Sequence, residues 1–326
     1  MSTRLFIGPM SKNIVDTVIK YCEDNNKTMG FIPSRRQVEF DGGYVNNWTT
    51  KEFANYVRSK TNKVMLQRDH GGPLQGDDID NGIQSFTDDA KSFDLIHIDP
   101  WKKVQQLEMA ANETAHYIEY CDFINENCRY EVGTEEAIRG YSPRDLDEFL
   151  KTLEKKLGSL FKKIEYGVIQ FGTAIQETKN VGSFDKERAL EMIKICKSFG
   201  LKTKEHNGDY LSNEEIKSRF ELGLDSINIA PEFGVLETKC ILNEIKDQDL
   251  FEAFFNVCYD SGKWKKWVSK DFKLNQDNKD VIIALSGHYT FADDRIKQIK
   301  KELPNIDDKI CKTIYRKLEE IHCVIM

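Results

Sequence analysis

Short runs of Val, Ile, Leu, Met and Phe alternate along the chain with longer stretches in which apolar residues return every three or four positions. Eight such runs occur: MGFIPSRR (29–36), KVMLQRD (63–69), FDLIHID (93–99), CRYEVG (128–133), EYGVIQFG (165–172), LKTKEH (201–206), DSINIAP (225–231) and DVIIALSG (280–287). Most show little polar alternation, the pattern of parallel strands covered on both faces. Between them, segments such as TTKEFANYVRSK, SPRDLDEFLKTLEKKLGSLFKK and SNEEIKSRFELG read as amphipathic helices. Thr49 or Thr50, Ser142, Ser183 and Ser212 supply N-caps, the last with Glu215 three residues on.

Strand and helix alternating eight times predicts an α/β fold, a (β/α)8 TIM barrel with right-handed crossovers, formed by residues 1–326 as one domain. The competing architecture, an open doubly wound sheet, loses ground because no G-x-G-x-x-G follows the first strand. Residues before 27 read as an N-terminal leading helix. Residues 231–279, with the aromatic-rich FEAFFNVCYDSGKWKKWVSKDF, read as a helical insertion after strand seven, a lobe or a contact surface.

Composition narrows the function classes. The chain has 326 residues, 31% of them charged, and a net charge of −7. That balance gives nucleic-acid phosphates little to bind. No apolar run approaches the ~20 residues that span a bilayer, and the N-terminus lacks a secretory apolar core, so the expected location is the cytoplasm. Eight cysteines occur without a C-x-x-C pair, which excludes a zinc ribbon and a dithiol redox motif and predicts free, mostly buried thiols.

In a barrel, chemistry gathers at the C-terminal ends of the strands. Four of the six histidines, His70, His97, His206 and His288, fall at or just beyond such ends, a distribution that favours a metal or acid–base site. In Q-R-D-H-G-G-P, Asp69 and His70 meet a glycine pair where the backbone can turn tightly. An imidazole there can hold a divalent metal while the carboxylate accepts a proton. His97 and Asp99 share a strand face, with Lys102 following as a phosphate contact. Glu131, inside an apolar run, needs a metal or a cation as partner, and Glu135 is the alternative proton shuttle. His206 and Asp209 flank a glycine, and Asp209 joins the catalytic candidates. Asn228 amid isoleucines is placed to bond a substrate hydroxyl or enolate oxygen. Ser286 and Gly287, at the end of the expected eighth strand, and Arg35, Arg36 and neighbouring Gln37, after the first, are the anion-binding candidates, the two arginines reading equally well as salt-bridged structural residues.

D-H-G-G-P, H-I-D, E-V-G-T-E, E-H-N-G-D-Y, S-G-H-Y and Q-V-E-F-D-G-G-Y occur in an order that resembles the Z-type subunit family of class II tagatose-bisphosphate aldolases, from about residue 28 to 291. Matching positions are Asp69, His70, Gly72 and Pro73; Gly133, Thr134 and Glu135; His206, Asp209 and Tyr210; and Gly287, His288 and Tyr289. The chain departs from the family pattern at Arg35 and Arg36 and at Glu131. The resemblance implies a barrel acting on a phosphorylated ketose by metal-dependent retro-aldol cleavage, or by C4 epimerisation through it. The alternative is a non-catalytic barrel that stabilises a partner aldolase. On the enzymatic reading His70 and His206 are metal ligands completed by Glu131 or His288, Asp69 or Glu135 moves the proton, and Arg35, Arg36 and Ser286 hold the phosphate. Zinc is the expected ion and manganese the second choice. The expected partners are a small phosphorylated ketose and either a second copy of the chain or an aldolase subunit.

Overall fold

The computed structural model describes residues 3–134 and 140–325. Eight parallel strands close into a barrel: β1 (Leu5–Ile7), β2 (Met29–Phe31), β3 (Val64–Gly71), β4 (Leu95–Ile98), β5 (Arg129–Gly133), β6 (Ile164–Ile169), β7 (Lys202–Glu205) and β8 (Ser226–Ile229). Each pairs with its sequence neighbours, and β8 returns to β1 through Leu5–Ile227, Phe6–Asn228 and Ile7–Ile229. The helices between them are α1 (Lys12–Asn25), α2 (Thr50–Arg58), α3 (Ile83–Ser92), α4 (Leu107–Ile124), α5 (Pro143–Leu157), α6 (Lys186–Ser198) and α7 (Asn213–Leu222). After β8 come α8 (Pro231–Glu244), α9 (Gln248–Asp260), α10 (Lys279–Ser286), α11 (Asp294–Lys301) and α12 (Ile306–Ile325). Among the described residues no helix is long and apolar enough to cross a membrane, and all eight cysteines are free thiols, five of them buried.

Strand periodicity divides the core in two. Leu5, Ile7, Phe31, Leu66, Ile96, Val132 and Ile227 point outward into the layer beneath the helices. Phe6, Ile32, Leu95 and Tyr166 form a separate apolar plug inside the barrel. Thr49, Ser142 and Ser212 cap α2, α5 and α7 with complete capping boxes. Ser183 does not cap; Asp185 caps α6, its side chain accepting from the Arg188 amide at 3.0 Å.

Two expectations about the strands are corrected. The chain's first barrel strand is Leu5–Ile7, ahead of the leading helix. Three apolar residues between Arg4 and Gly8-Pro9 are too short to register as a strand by pattern alone. DVIIALSG is not a strand but helix α10, whose Ile282 to Ser286 are all buried, packed against α8 and α9. A helix apolar on every side loses its 3.6-residue signature and reads like a covered strand. The strand counted seventh therefore closes the barrel, and residues 231–279 are no insertion but the start of a C-terminal helical layer.

Candidate metal centre and active site

Above the apolar plug the barrel interior turns polar. Gln67, His97, Glu131, Lys204 and His206 project inward and are buried. The register pairs His97 with Glu131, Lys204 with Ser226 and Glu205 with Ile227, and Asn228 is the next residue of β8. Lys204 carries its ammonium 2.9 Å from Glu131 Oε2, hydrogen-bonds Gln67, and lies 3.3 Å from the centre of the Phe6 ring. Burial works to neutralise both groups of this ion pair, and it holds the Lys204 ammonium below its usual range. For Glu131 burial is outweighed by the Lys204 charge and the His206 hydrogen bond, so its carboxyl is held well below the usual range and stays ionised.

Three imidazoles converge at the rim. One ligand nitrogen from each of His70, His97 and His206 lies within 4.8 Å of the others, and the ring centres are 5.0–5.2 Å apart. His70 reaches this position through an irregularity in β3 between Arg68 and Gly71 and a left-handed backbone, φ 47°. Gly72 allows the turn: φ is 143°, and a Cβ there would sit 2.7 Å from the Asp99 carbonyl oxygen.

Carboxylates orient two of the rings. His70 Nδ1 lies 2.7 Å from Asp99 Oδ2, and Asp99 also accepts from Gln75 Nε2 at 2.7 Å and the Trp101 amide at 3.1 Å. Burial would raise the Asp99 carboxyl, but His70 outweighs it and holds the pKa below the usual value. His206 Nε2 lies 2.8 Å from Glu131 Oε1. The opposite nitrogens, His70 Nε2 and His206 Nδ1, approach Asp69 at 3.8 and 3.9 Å. His97 is pushed down to about 4, mainly by burial, which keeps its ring neutral. Neutral imidazoles backed by carboxylates are the donor set that divalent ions such as zinc take. The residues present therefore fit a divalent metal.

A cavity of about 520 Å3 opens beside this rim, with Asp69 and His70 on its floor side and Arg36, Lys266, Trp267 and Tyr289 among its walls. Asp69 Oδ1 is buried without a hydrogen-bond partner among the described residues, as are both amide atoms of Asn228. Gln37 lines the same cavity, but its amide is engaged by the Ser34 amide at 2.8 Å and by Met10.

Several expected roles are corrected. Glu131 stands behind His206 and beside Lys204, while the third imidazole of the cluster is His97. His288 is not part of that cluster; it is buried in the turn after α10, its ring tilted against Tyr289 at 4.0 Å between ring centres. Ser286 Oγ donates to the Ile282 carbonyl within α10, and a Cβ on Gly287 would clash with Thr238 at 2.4 Å, so both serve helix packing. Arg35 is buried and consumed by Glu39, Asp80 and the Gly72 carbonyl. Asp99 is engaged by His70, Gln75 and the Trp101 amide. Asp209 Oδ1 accepts from the Ala230 and Glu232 amides at 2.9 and 2.8 Å, capping α8. Burial, with the Glu232 charge adding to it, pushes the Asp209 carboxyl up to about 8. Lys102, on the exposed turn after β4, reaches the Leu74 carbonyl at 3.4 Å. Glu135 lies outside the described residues.

Sequence reasoning also missed Lys204 and Lys266. A lysine in the short run LKTKEH was a readable signal, since an ionised side chain inside a covered strand requires a partner. Nothing local marked Lys266, whose place depends on how the segment after α9 folds back.

Comparison with solved structures identifies the architecture. A probable tagatose 6 phosphate kinase from Sinorhizobium meliloti 1021 superposes with a TM-score of 0.77 at 14% identity, over 99% of this chain and 100% of that one. The chain shares with it the closed (β/α)8 barrel fold. A fructuronate-tagaturonate epimerase from Cohnella laeviribosi follows at TM-score 0.64 and 10% identity, covering 98% of this chain and 81% of that one. A fructose-bisphosphate aldolase from Campylobacter jejuni gives 0.57 and 14%, covering 99% and 90%. No family profile and no characterised relative matches by sequence. The barrel implied by the resemblance to aldolase subunits is thus the barrel observed, in the company of aldolase and epimerase structures.

Proposed function

We propose that the chain is a divalent-metal-dependent enzyme that cleaves a ketose phosphate by a retro-aldol reaction, or epimerises it at C4 through the same bond cleavage. The observation that carries this reading is the His70–His97–His206 triangle at the barrel rim, with Asp99 and Glu131 behind two of its members. The aldolase and epimerase structures of like fold support it.

His70, His97 and His206 would hold the divalent ion, which when bound would supply Lewis acidity toward the ketose carbonyl. Asp69 lies within 4 Å of two of those rings with one oxygen lacking a hydrogen-bond partner among the described residues, so it is the base that accepts the C4 hydroxyl proton as the C3–C4 bond breaks. The bonding pair passes to C3 and an aldehyde is left at C4. Asn228 on β8, with both amide atoms lacking a hydrogen-bond partner among the described residues, donates to the oxygen on which charge develops. In cleavage the aldehyde departs and the proton on Asp69 passes to C3 of the enediolate; in epimerisation the aldehyde rotates, C3 adds back to it, and the proton returns to the C4 oxygen of the inverted centre. Cleavage and epimerisation use the same residues and differ in whether the aldehyde escapes.

The test is NMR of the isolated protein with ketose mono- and bisphosphates in deuterated water, with and without chelator. Triose products identify cleavage, and an inverted C4 without solvent deuterium identifies retro-aldol epimerisation. Turnover that is indifferent to chelator, or unchanged in His70→Ala, overturns the proposal. A stoichiometrically metal-loaded protein that leaves the whole panel untouched points instead to a barrel that supports a partner aldolase.

A further inference from the structure

The positive charge of this acidic protein is unevenly spent. With Arg35, Ser286 and Gly287 committed to packing, the cationic residues lining the cavity, among those described, are Arg36 and Lys266. They enter from opposite ends of the sequence. Arg36 follows β2, anchored by Asp77 at 2.9 Å and the Gly76 carbonyl at 3.3 Å while its side chain remains 42% exposed. Lys266 sits in the turn after α9, its ammonium 4.5 Å from the Trp267 ring centre and 4.9 Å from that of Tyr289. Tyr289 in turn accepts from Trp267 Nε1 at 3.3 Å and packs edge-on against Tyr44, so the aromatic wall that carries the ammonium is braced. Lys263 also approaches Asp77, at 3.7 Å. Arg36 and Lys263 thus share one carboxylate, itself two-thirds exposed.

We infer that Arg36 and Lys266 form an anion subsite at the mouth of the cavity, and that it takes the single phosphate of a ketose monophosphate whose carbonyl end lies at the histidines. The inference rests on the proposed sugar-phosphate reading and adds to it the substrate's charge state. A guanidinium fork and an ammonium facing one cavity match a phosphate monoester, with the fork as the directional element and the ammonium as a point charge. The cavity, about 520 Å3, falls in the range of small-molecule sites, roughly 300–1,000 Å3. Burial in the mouth, reinforced by Arg36 and Lys263, lowers Lys266 to about 8; the residue as a whole keeps solvent contact, which screens part of that effect. A bound dianion would relieve the same crowding. His288, buried behind Tyr289 and pushed down to about 3 by its burial and by Lys266, is neutral and adds nothing to the positive charge. A second phosphate would find no further cation on the described walls, so a bisphosphate gains nothing over a monophosphate.

Calorimetric titration of the full chain with inorganic phosphate at fixed ionic strength, with and without chelator, tests the subsite independently of catalysis. Arg36→Gln and Lys266→Met are each expected to weaken phosphate about tenfold in both conditions, the size of one charge-assisted hydrogen bond at a partly exposed position. Arg36→Lys is expected to keep most of the affinity. With substrate, the same variants raise KM for a ketohexose monophosphate by a like factor with little change in kcat, and the matching bisphosphate shows no lower KM. Wild-type protein that fails to bind phosphate, or variants that bind it as well as wild type, overturn the inference. A keto-uronate with a lower KM than the monophosphate would make the anion a carboxylate and overturn the phosphate assignment. Loss of phosphate binding in the variants without any turnover by wild type leaves the subsite standing and removes the proposed reaction. Turnover with KM unmoved by the variants does the reverse.

Discussion

Replacing Lys204 with methionine isolates the link between the barrel's ion pair and its metal centre. Methionine keeps the unbranched stem, so little cavity forms. What disappears is the ammonium 2.9 Å from Glu131, leaving a fully buried carboxylate without its cation. Removing one partner of a buried pair costs about 3–5 kcal/mol. An independent route gives the same size: if Glu131 escapes by taking a proton, protonating at pH 7 a group whose ordinary value is 4.5 costs about 2.5 × 1.36, or about 3.4 kcal/mol. The sign of the pH dependence follows. The variant's Glu131 would hold a proton when folded and release it when unfolded, so stability lost at neutral pH returns as pH falls. The deficit should shrink by up to about 2.7 kcal/mol between pH 7 and 5. Because Glu131 also holds His206 at 2.8 Å, metal affinity should fall about 10–100-fold. Urea unfolding of chelator-treated protein measures the first effect, and zinc competition against a chromophoric chelator the second. A loss below about 1 kcal/mol at pH 7, or unchanged zinc affinity, refutes the reasoning. The double variant Lys204→Met with Glu131→Gln should regain most of the stability, because no charge is then left buried.

His97→Ala should lower zinc affinity about a hundredfold or more, whereas His288→Ala should leave the zinc stoichiometry intact; the reverse outcome restores His288 to the ligand set. Arg35→Met strands buried Glu39 and should cost about 3–5 kcal/mol in urea unfolding with KM unchanged; a raised KM at unchanged stability would return Arg35 to the substrate. For Asp209, held at about 8 by burial against an ordinary 3.8, the folded state binds the proton more tightly. Its contribution is complete at low pH and is lost as pH rises from about 4 through 8, so wild-type stability measured against Asp209→Asn should decline over that window, by at most about 1.4 kcal/mol per pH unit, and level off above it. Gly287→Val should destabilise by about 1–3 kcal/mol through overlap with Thr238, read as a lower urea midpoint.

Composition and periodicity alone determined the barrel class and seven of its eight strands, because parallel strands covered on both faces leave short, almost uninterrupted apolar runs. They also placed His70, His97 and His206 at strand ends, where barrel geometry gathers them. Local pattern failed where burial was uniform, as in α10, or where the strand was three residues long, as in β1. Only the tertiary structure decided which histidines meet. His97 and Glu131 are register partners on β4 and β5, so one completes the imidazole cluster and the other backs His206, while His288 ends up in a helical turn apart from the cluster. The same holds for charge: Arg35 and Arg36 are adjacent in sequence, yet one is locked by Glu39 and Asp80 and the other faces a cavity shared with Lys266. Sequence spacing fixes which faces of an element a residue can occupy. Partners brought in by the fold fix what its charge is used for, because a buried charge persists only where another group supplies its counterpart.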